Sequence, residues 1–153
     1  SILNTHNPLR NNMITLPLTP DDDALIQKAI EVLMRNYRPF RHTVGCAVRC
    51  ASGSIYLGIN VAACGYGPCA EPVAIGAAFT AGEREIQTIV SVGRRDDGEF
   101  MVLSPCGNCR QLLMDYAPDC KVLFMDAGSI FKACARDLLP GSYISGFGEH
   151  RKQ

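Results

Sequence analysis

The first regular pattern of apolar positions along the chain predicts an amphipathic helix that begins near residue 20. Thr19 is a suitable N-cap, Pro20 suits the first helical position, and residues 21–23 are all acidic, which favours the positive end of a helix dipole. Apolar residues then recur at helical spacing along ALIQKAIEVLM. We expect the helix to end before Pro39, because proline cannot continue it.

The rest of the chain alternates strand-like and helix-like segments. TVGCAVRC and IYLGINV predict a hairpin, with Gly53 in the turn between the two strands. CAEPVAIGAAFTAG and CGNCRQLLMDYAP predict two buried helices. Further strands are expected at EIQTIVSVG, at FMVLS (a separate strand or a continuation of the previous one), at KVLFMD, and at SIFKAC, an edge strand that precedes one helical turn.

This order of elements predicts a three-layer α/β/α sandwich with a mixed sheet, because the helices have to cover both faces of the sheet. We expect one domain over residues 19–147, preceded by an N-terminal extension over residues 1–18 and followed by a tail over residues 148–153. Ligands in such folds bind where strands end and helices begin.

Composition and charge narrow the range of partners. Of the 153 residues, 47% are hydrophobic and 20% are charged, and Lys plus Arg equals Asp plus Glu at 15 each. A nucleic-acid partner is not expected, since nucleic-acid binders carry a basic excess. No apolar run approaches the roughly 18 residues of a membrane span, and residues 1–12 lack the apolar core of a secretion signal. We therefore expect a cytoplasmic protein without a membrane partner.

Eight cysteines are many for a chain of this length. Disulfides are rare in the reducing cytoplasm, so clustered cysteines indicate a metal site and scattered ones indicate packing. The clustered residues are Cys69 in GPCAEP and the pair Cys106 and Cys109 in SPCGNCRQ. Four others are expected to be small buried apolar side chains, namely Cys46, Cys50, Cys120 and Cys134.

Both cysteine motifs fall at predicted helix starts. Pro72 has no amide hydrogen and is tolerated only in a first helical turn, so its helix must begin close to Cys69. Pro105 makes a helix start at Cys106 plausible in the same way. Two helix N-termini direct free amides and positive dipole ends at the sulfur atoms, which lowers the pKa of a thiol and favours the thiolates that zinc binds.

Three thiolates predict a catalytic zinc, because structural zinc ordinarily has four protein ligands. Cys64 is the one nearby residue that could close the site, and it leaves a zinc-stabilised binding module without turnover as an alternative. Glu71 lies two residues after Cys69 in the same turn, where a carboxylate can accept and return protons. Its alternative role is to stabilise the helix dipole.

The combination of CAE with PCGNC resembles the signature of zinc-dependent nucleobase deaminases. With TVGCAV, GINV and RDLLPGSY, residues 20–147 are identified as a member of the cytidine deaminase superfamily in its small three-cysteine form. GPCAE, SPCGNCRQLLMDYAP and RDLLPGSY are similar to its blasticidin-S deaminase branch. The resemblance implies hydrolytic conversion of the 4-amino group of a cytosine-type nucleoside to a carbonyl, with release of ammonia. It also implies one Zn²⁺ per subunit and a homotetramer with shared active sites.

The resemblance further implies a role for each matching residue. Cys69, Cys106 and Cys109 hold the zinc, and Glu71 moves the protons. Pro72 occupies the position where many relatives carry an arginine, so compensation for the charge of the three thiolates is expected from the helix ends and from Arg110. The substrate-binding residues implied are Ala70 at the ring carbonyl, Ser104 at the amino group, Asn60 at the sugar, His42 at the pocket mouth, and Thr43 and Tyr143 at the distal part of the substrate.

The chain departs from nucleoside deaminases at the residues that would read the sugar. Their N-x-E-N pattern, in which the glutamate binds a ribose hydroxyl, is replaced here by Asn60, Val61, Ala62 and Ala63. A site without that acceptor loses much of its discrimination for ribose. The sequence therefore favours a blasticidin S-like or other modified cytosine nucleoside, and a conventional cytidine or deoxycytidine deaminase is the alternative.

Overall fold

One mixed β-sheet runs through the centre of the molecule, with helices on both faces. The computed structural model describes residues 13–144. The elements in chain order are α1 Pro20–Asn36, β1 Val44–Cys50, β2 Ile55–Ile59, α2 Ala70–Thr80, β3 Ile86–Arg94, β4 Phe100–Leu103, α3 Gly107–Tyr116, β5 Lys121–Asp126, β6 Ser129–Cys134 and a 3₁₀ turn Ala135–Leu138. The three-layer α/β/α prediction is confirmed.

The strand order is β2-β1-β3-β5-β6, and β3 is the central strand. Only its pairing with β5 is parallel, and the other pairs are antiparallel. One edge of β3 is divided between two partners: residues 88–90 pair with β5, and residues 91–94 pair with β4. FMVLS is therefore a separate strand, and it leaves the sheet at the middle of β3.

Helix α1 covers one face of the sheet and begins as predicted. The Thr19 side chain accepts a hydrogen bond from the Asp22 amide, and the Asp22 side chain accepts one from the Thr19 amide, which completes a capping box. Asp22 is 1% exposed and forms an ion pair with Lys132 of β6 at 2.8 Å. The apolar face of the helix, including Leu25, Ala29 and Leu33, packs on β1, β2 and β3.

Helices α2 and α3 cover the opposite face. Close packing of α2 on β2 depends on Gly58, because a Cβ at this position would lie 2.5 Å from the Ala74 amide nitrogen and 2.7 Å from the Ala70 carbonyl oxygen. Helix α3 differs from the prediction of a buried helix, since only Cys109 and Leu113 of its ten residues are buried.

The predicted domain boundaries fall partly outside the described residues. Within the predicted extension, residues 13–18 are described, and the Leu16 amide donates a hydrogen bond to the Lys132 carbonyl at 2.8 Å. Residues 1–12 and the predicted tail at 148–153 lie outside the described part of the chain. Among the helices of residues 13–144, none combines the length and apolar character needed to cross a bilayer.

We predict that Gly58→Ala lowers the free energy of unfolding by about 1 to 3 kcal/mol, because the added methyl group would collide with the backbone of α2. Urea denaturation followed by circular dichroism measures the change. Gly65→Ala is the matched control, since a Cβ at Gly65 meets no atom within 4 Å. Equal stability of the two variants would contradict a close α2–β2 contact.

Candidate active site

Three thiols from two helix starts form a cluster on the face covered by α2 and α3. Cys69 is the N-cap of α2, Cys106 is the N-cap of α3, and Cys109 lies in the first turn of α3. The Sγ atoms of all three lie within 4.8 Å of one another, and those of Cys69 and Cys106 are 3.7 Å apart. The cluster predicted from the motif spacing is therefore formed.

Burial and mutual contacts change the pKa values of all three thiols. Burial raises the pKa of Cys109 well above its usual value, and the nearby Glu71 carboxylate raises it further. Burial also raises the pKa of Cys69, as does its contact with Cys106. Burial alone would raise the pKa of Cys106 too, but hydrogen bonds from the amides of Cys109 and Asn108 and from the neighbouring thiols lower it overall. The predicted effect of a helix N-terminus is thus observed at one of the three sulfurs.

The geometry of the cluster fits zinc. Two thiolates bound to a tetrahedral zinc at about 2.3 Å lie roughly 3.8 Å apart, close to the 3.7 Å between Cys69 and Cys106. Cys64 is exposed and does not belong to the cluster, and within residues 13–144 no other His, Cys, Asp or Glu joins the three thiols. A zinc held here keeps a coordination position for water or substrate, as catalytic zinc does.

Glu71 lies beside the thiols in the first turn of α2 and is 6% exposed. Glu71 also acts on Cys46 in β1. Burial raises the pKa of the Cys46 thiol, and the negative charge of the nearby Glu71 raises it further. The Glu71 side chain lines a cavity of about 490 Å³ together with Cys69 and Cys106. A carboxylate in this position can exchange protons with a ligand in the cavity.

The cavity brings together several of the predicted substrate-binding residues. Its walls include Asn60, Ala70 and Ser104, which come from the end of β2, the start of α2 and the end of β4. The Ala70 amide belongs to the first turn of α2, where backbone N–H groups have no partner within the helix. The Ser104 hydroxyl donates to the Met125 carbonyl at 2.7 Å, which links the end of β4 to β5.

Asn60 connects the cavity to His42 and Thr43. Its Oδ1 accepts hydrogen bonds from the amides of Thr43 at 2.7 Å and Val44 at 3.0 Å. Its backbone carbonyl lies 2.9 Å from Nδ1 of His42. His42 and Thr43 are thus held just behind the cavity wall by Asn60.

Two other predicted residues lie farther from the cavity. The guanidinium of Arg110 donates to the carbonyl oxygens of Pro105 and Leu138, both at 2.8 Å, which places it against the first turn of α3. Neither of these two bonds involves a cysteine. The Tyr143 carbonyl accepts a hydrogen bond from Gln111 at 3.2 Å, and the residue is 72% exposed.

The cavity wall also contains residues that the sequence did not indicate. Val44 and Leu103 supply apolar walls from β1 and β4. Gly67 permits a tight loop, because a Cβ there would lie 2.9 Å from the Val61 carbonyl oxygen and 3.0 Å from the Ala63 amide nitrogen. The two glycines around Tyr66 were the available sequence signal for this loop.

We predict that Cys109→Ser weakens zinc binding strongly. Loss of a residue that only supports a metal ligand costs about 10- to 100-fold in affinity, and loss of the ligand itself should cost at least as much. Metal analysis after dialysis against a chelator measures the loss. Cys64→Ser is the control, since Cys64 is exposed and outside the cluster. Equal zinc retention by both variants would contradict the three-thiolate site.

Comparisons with known proteins agree with this site. The family model for the cytidine and deoxycytidylate deaminase zinc-binding region matches residues 19–125. Blasticidin-S deaminase from Bacillus cereus is 36% identical over 137 residues, which cover 86% of this chain and 98% of that protein. Cytidine deaminase from Halalkalibacterium halodurans is 34% identical over 130 residues, covering 82% of this chain and 96% of that protein.

Solved structures share the fold as well. The crystal structure of cytidine deaminase from Burkholderia pseudomallei superposes with a TM-score of 0.68 at 31% identity, covering 82% of this chain and 100% of that chain. The family match extends over most of the chain and includes all three thiols and Glu71. The protein belongs to the cytidine and deoxycytidylate deaminase family and is a zinc-dependent hydrolytic deaminase.

Proposed function

We propose that the protein removes the 4-amino group of a cytosine ring carried on a modified sugar, as in blasticidin S, and releases ammonia. One observation carries this choice of substrate. Among the described residues that line the cavity, Glu71 is the only one with a carboxylate. Because it lies beside the thiols, this carboxylate would act on the reacting ring and not on the sugar. No second acid is left in the described wall to accept a hydrogen bond from ribose.

The cytosine ring would be recognised mainly by backbone groups at the bottom of the cavity. The Ala70 amide is a free donor at a helix start and suits the ring carbonyl oxygen. The Ser104 carbonyl suits the amino group, and its position is supported by the hydrogen bond from the Ser104 hydroxyl to Met125. These two contacts would orient C4 of the ring toward the three cysteines.

Proton transfer is assigned to Glu71. Zinc held by Cys69, Cys106 and Cys109 would supply a Lewis acid that makes a water molecule reactive near neutral pH. The Glu71 carboxylate would take one proton from the attacking water and deliver it to the ring nitrogen beside C4. It would then take the second proton from the same oxygen and pass it to the amine, so that the carbonyl forms as ammonia leaves. Burial of its side chain beside the thiols excludes bulk water from these transfers.

The sugar would lie against the loop after β2. Asn60 has its Oδ1 bound to the amides of Thr43 and Val44. Its Nδ2 donates one hydrogen to the Thr43 hydroxyl at 3.4 Å, and the second hydrogen can be donated to a substrate. Val61, Ala62 and Ala63 provide apolar wall where nucleoside deaminases carry a glutamate in the N-x-E-N pattern. A conventional cytidine or deoxycytidine deaminase is the second candidate, supported by the similarity to the cytidine deaminase of Halalkalibacterium halodurans.

Contacts to the distal part of the substrate are assigned to His42, Thr43 and Tyr143. Tyr143 is exposed in the single subunit. It would contact the ligand if the bound substrate or a second subunit covers its side chain. We also propose a homotetramer with shared active sites. Exposed aromatic residues support this assembly, since Tyr66 lies between two glycines of the cavity wall and is 85% exposed, and Phe40 is 92% exposed.

Charge compensation is assigned to Arg110. Zinc with three thiolates carries a net charge of −1, which weakens its action on water. The two carbonyl contacts of Arg110 hold a guanidinium against the turn that contains Cys106 and Cys109, where its positive charge offsets that of the thiolates.

The proposed location is the cytoplasm, with no nucleic-acid or membrane partner. All eight cysteines are free, which fits a reducing compartment.

We predict that Glu71→Gln lowers kcat by about 10³-fold or more while the protein retains its zinc, because the amide is similar in size but cannot accept the proton. Ammonia release and metal analysis on the same preparation measure both properties. Glu83→Gln is the control, since Glu83 lies beyond the end of α2 and bonds to Ser52 and Tyr56. Turnover by the Glu71 variant at the normal rate would contradict the proposed proton transfer.

We predict that blasticidin S is deaminated with a kcat/KM at least about 10-fold above that of cytidine or deoxycytidine, since the wall has no acid to bind ribose. Loss of cytosine absorbance measures each rate. Ala62→Glu restores the acid of the N-x-E-N pattern and should raise kcat/KM for cytidine. Ala63→Glu, with the same charge one residue later, is the control. Efficient turnover of cytidine by the unmodified protein would favour the second candidate.

A further inference from the structure

Ser91 lies at the point where the central strand changes partners. Residues 88–90 of β3 pair with β5, and Ser91 is the first residue to pair with β4, opposite Leu103. Strand β4 ends at Leu103, so the chain leaves the sheet here toward Cys106. A polar residue at this position sits directly beneath the segment that carries two of the zinc ligands.

The Ser91 side chain is buried, and its hydroxyl has no good partner. Ser91 pairs with Cys46 across β1 and β3, and so shares the face of the sheet that packs against α2. It is 4% exposed, and within residues 13–144 its Oγ makes no hydrogen bond of acceptable geometry. The Cys46 thiol is near enough for Ser91 to lower its pKa, although burial and Glu71 raise that pKa overall, and a thiol is only a weak hydrogen-bonding group.

Serine at this buried position calls for a reason other than packing. A buried hydroxyl without a good partner costs about 1 to 3 kcal/mol, whereas an apolar side chain of the same shape avoids that cost. The buried cluster on this face is made of apolar side chains, so the hydroxyl adds nothing to the packing of that cluster. The hydroxyl therefore points to a partner that lies in the space beside it.

A small void joins Ser91 to Glu71. Its volume is about 10 Å³, close to the minimum that holds one water molecule. Glu71 and Ser91 supply the only polar side chains of its described lining, and the rest is apolar, including Ile89, Leu103 and Leu113. A water molecule in this void has a carboxylate on one side and a hydroxyl on the other.

Glu71 also lines the 490 Å³ cavity in front of the thiols, as does Leu103. Glu71 therefore borders both the substrate cavity and the small void that Ser91 lines. A hydrogen bond from behind restrains the rotation of a carboxylate and leaves one oxygen directed at the substrate. Such restraint matters, because displacing a catalytic group by about 1 Å can cost up to 10²-fold in rate.

We propose that Ser91 is a positioning residue for Glu71 and acts through one buried water molecule. The Ser91 hydroxyl and the Glu71 carboxylate both bond to this water, which holds the carboxylate toward the reacting ring. Ser91 touches neither substrate nor zinc. This inference rests on the proton-transfer role proposed for Glu71.

The test is Ser91→Ala in the zinc-loaded protein, assayed with the cytosine nucleoside that is turned over fastest. We expect kcat to fall by about 10-fold or more with KM and zinc content unchanged. Thermal stability should change little, because the Ser91 hydroxyl makes no hydrogen bond of acceptable geometry to another described protein group. Thr88→Val is the matched control, since Thr88 is a buried hydroxyl residue of the same strand that does not line the void. It should leave kcat unchanged.

A double-mutant cycle with Glu71→Gln tests whether Ser91 acts through Glu71. The residual rate of Glu71→Gln should be the same whether Ser91 is kept or replaced by alanine, because the carboxylate that Ser91 positions is then absent. A high-resolution crystal structure of the zinc-loaded protein should contain a water between the Ser91 Oγ and the Glu71 carboxylate.

The outcomes separate the two proposals. A fully active Glu71→Gln variant would overturn the proton-transfer role itself. An inactive Glu71→Gln variant together with normal kcat in Ser91→Ala would overturn only the role of Ser91. A fall in the residual rate of Glu71→Gln when Ser91 is also replaced would show a general structural effect and would equally overturn it.

Discussion

The site depends on the meeting of two helix N-termini over the middle of the sheet. Cys69 and Cys106 cap different helices, are 37 positions apart in the chain, and still place their sulfur atoms 3.7 Å from each other. This contact requires α2 to lie close to β2 at Gly58 and β4 to end halfway along β3. The free amides of α3 then lower the pKa of Cys106, while burial raises the pKa of the other two thiols.

The groups proposed for catalysis and those proposed for substrate selection lie in different parts of the molecule. The thiols and Glu71 belong to helix starts that are packed on the sheet, whereas the apolar wall at residues 61–63 belongs to a loop. A loop can change without disturbing the core, because its side chains face the cavity and not the sheet. This separation explains how one fold with one zinc site is similar both to blasticidin-S deaminase and to cytidine deaminases.

Local sequence patterns predicted the positions of helices and strands well. They predicted less well how many residues of each helix are buried. The capping residues of α1 and the helix start at Cys69 follow from side-chain and proline chemistry that acts within one turn, and both are confirmed. The prediction of a buried α3 was wrong, because an apolar segment shows that a helix has buried positions but not how many neighbours cover it. The placement of His42 and Thr43 behind Asn60 depends on hydrogen bonds between residues 16 to 18 positions apart, which no local pattern contains.

The sequence by itself determined the donor set of the zinc site, the helix starts that carry it and the absence of an acid at residues 61–63. Each of these is a property of adjacent residues. Only the tertiary structure decided that the sulfur atoms converge, that the cavity in front of them has a volume of about 490 Å³, and that Glu71 and Ser91 line one small void. These features arise where β3 exchanges one partner strand for another, and strand pairing between distant segments is set by the packing of the whole sheet.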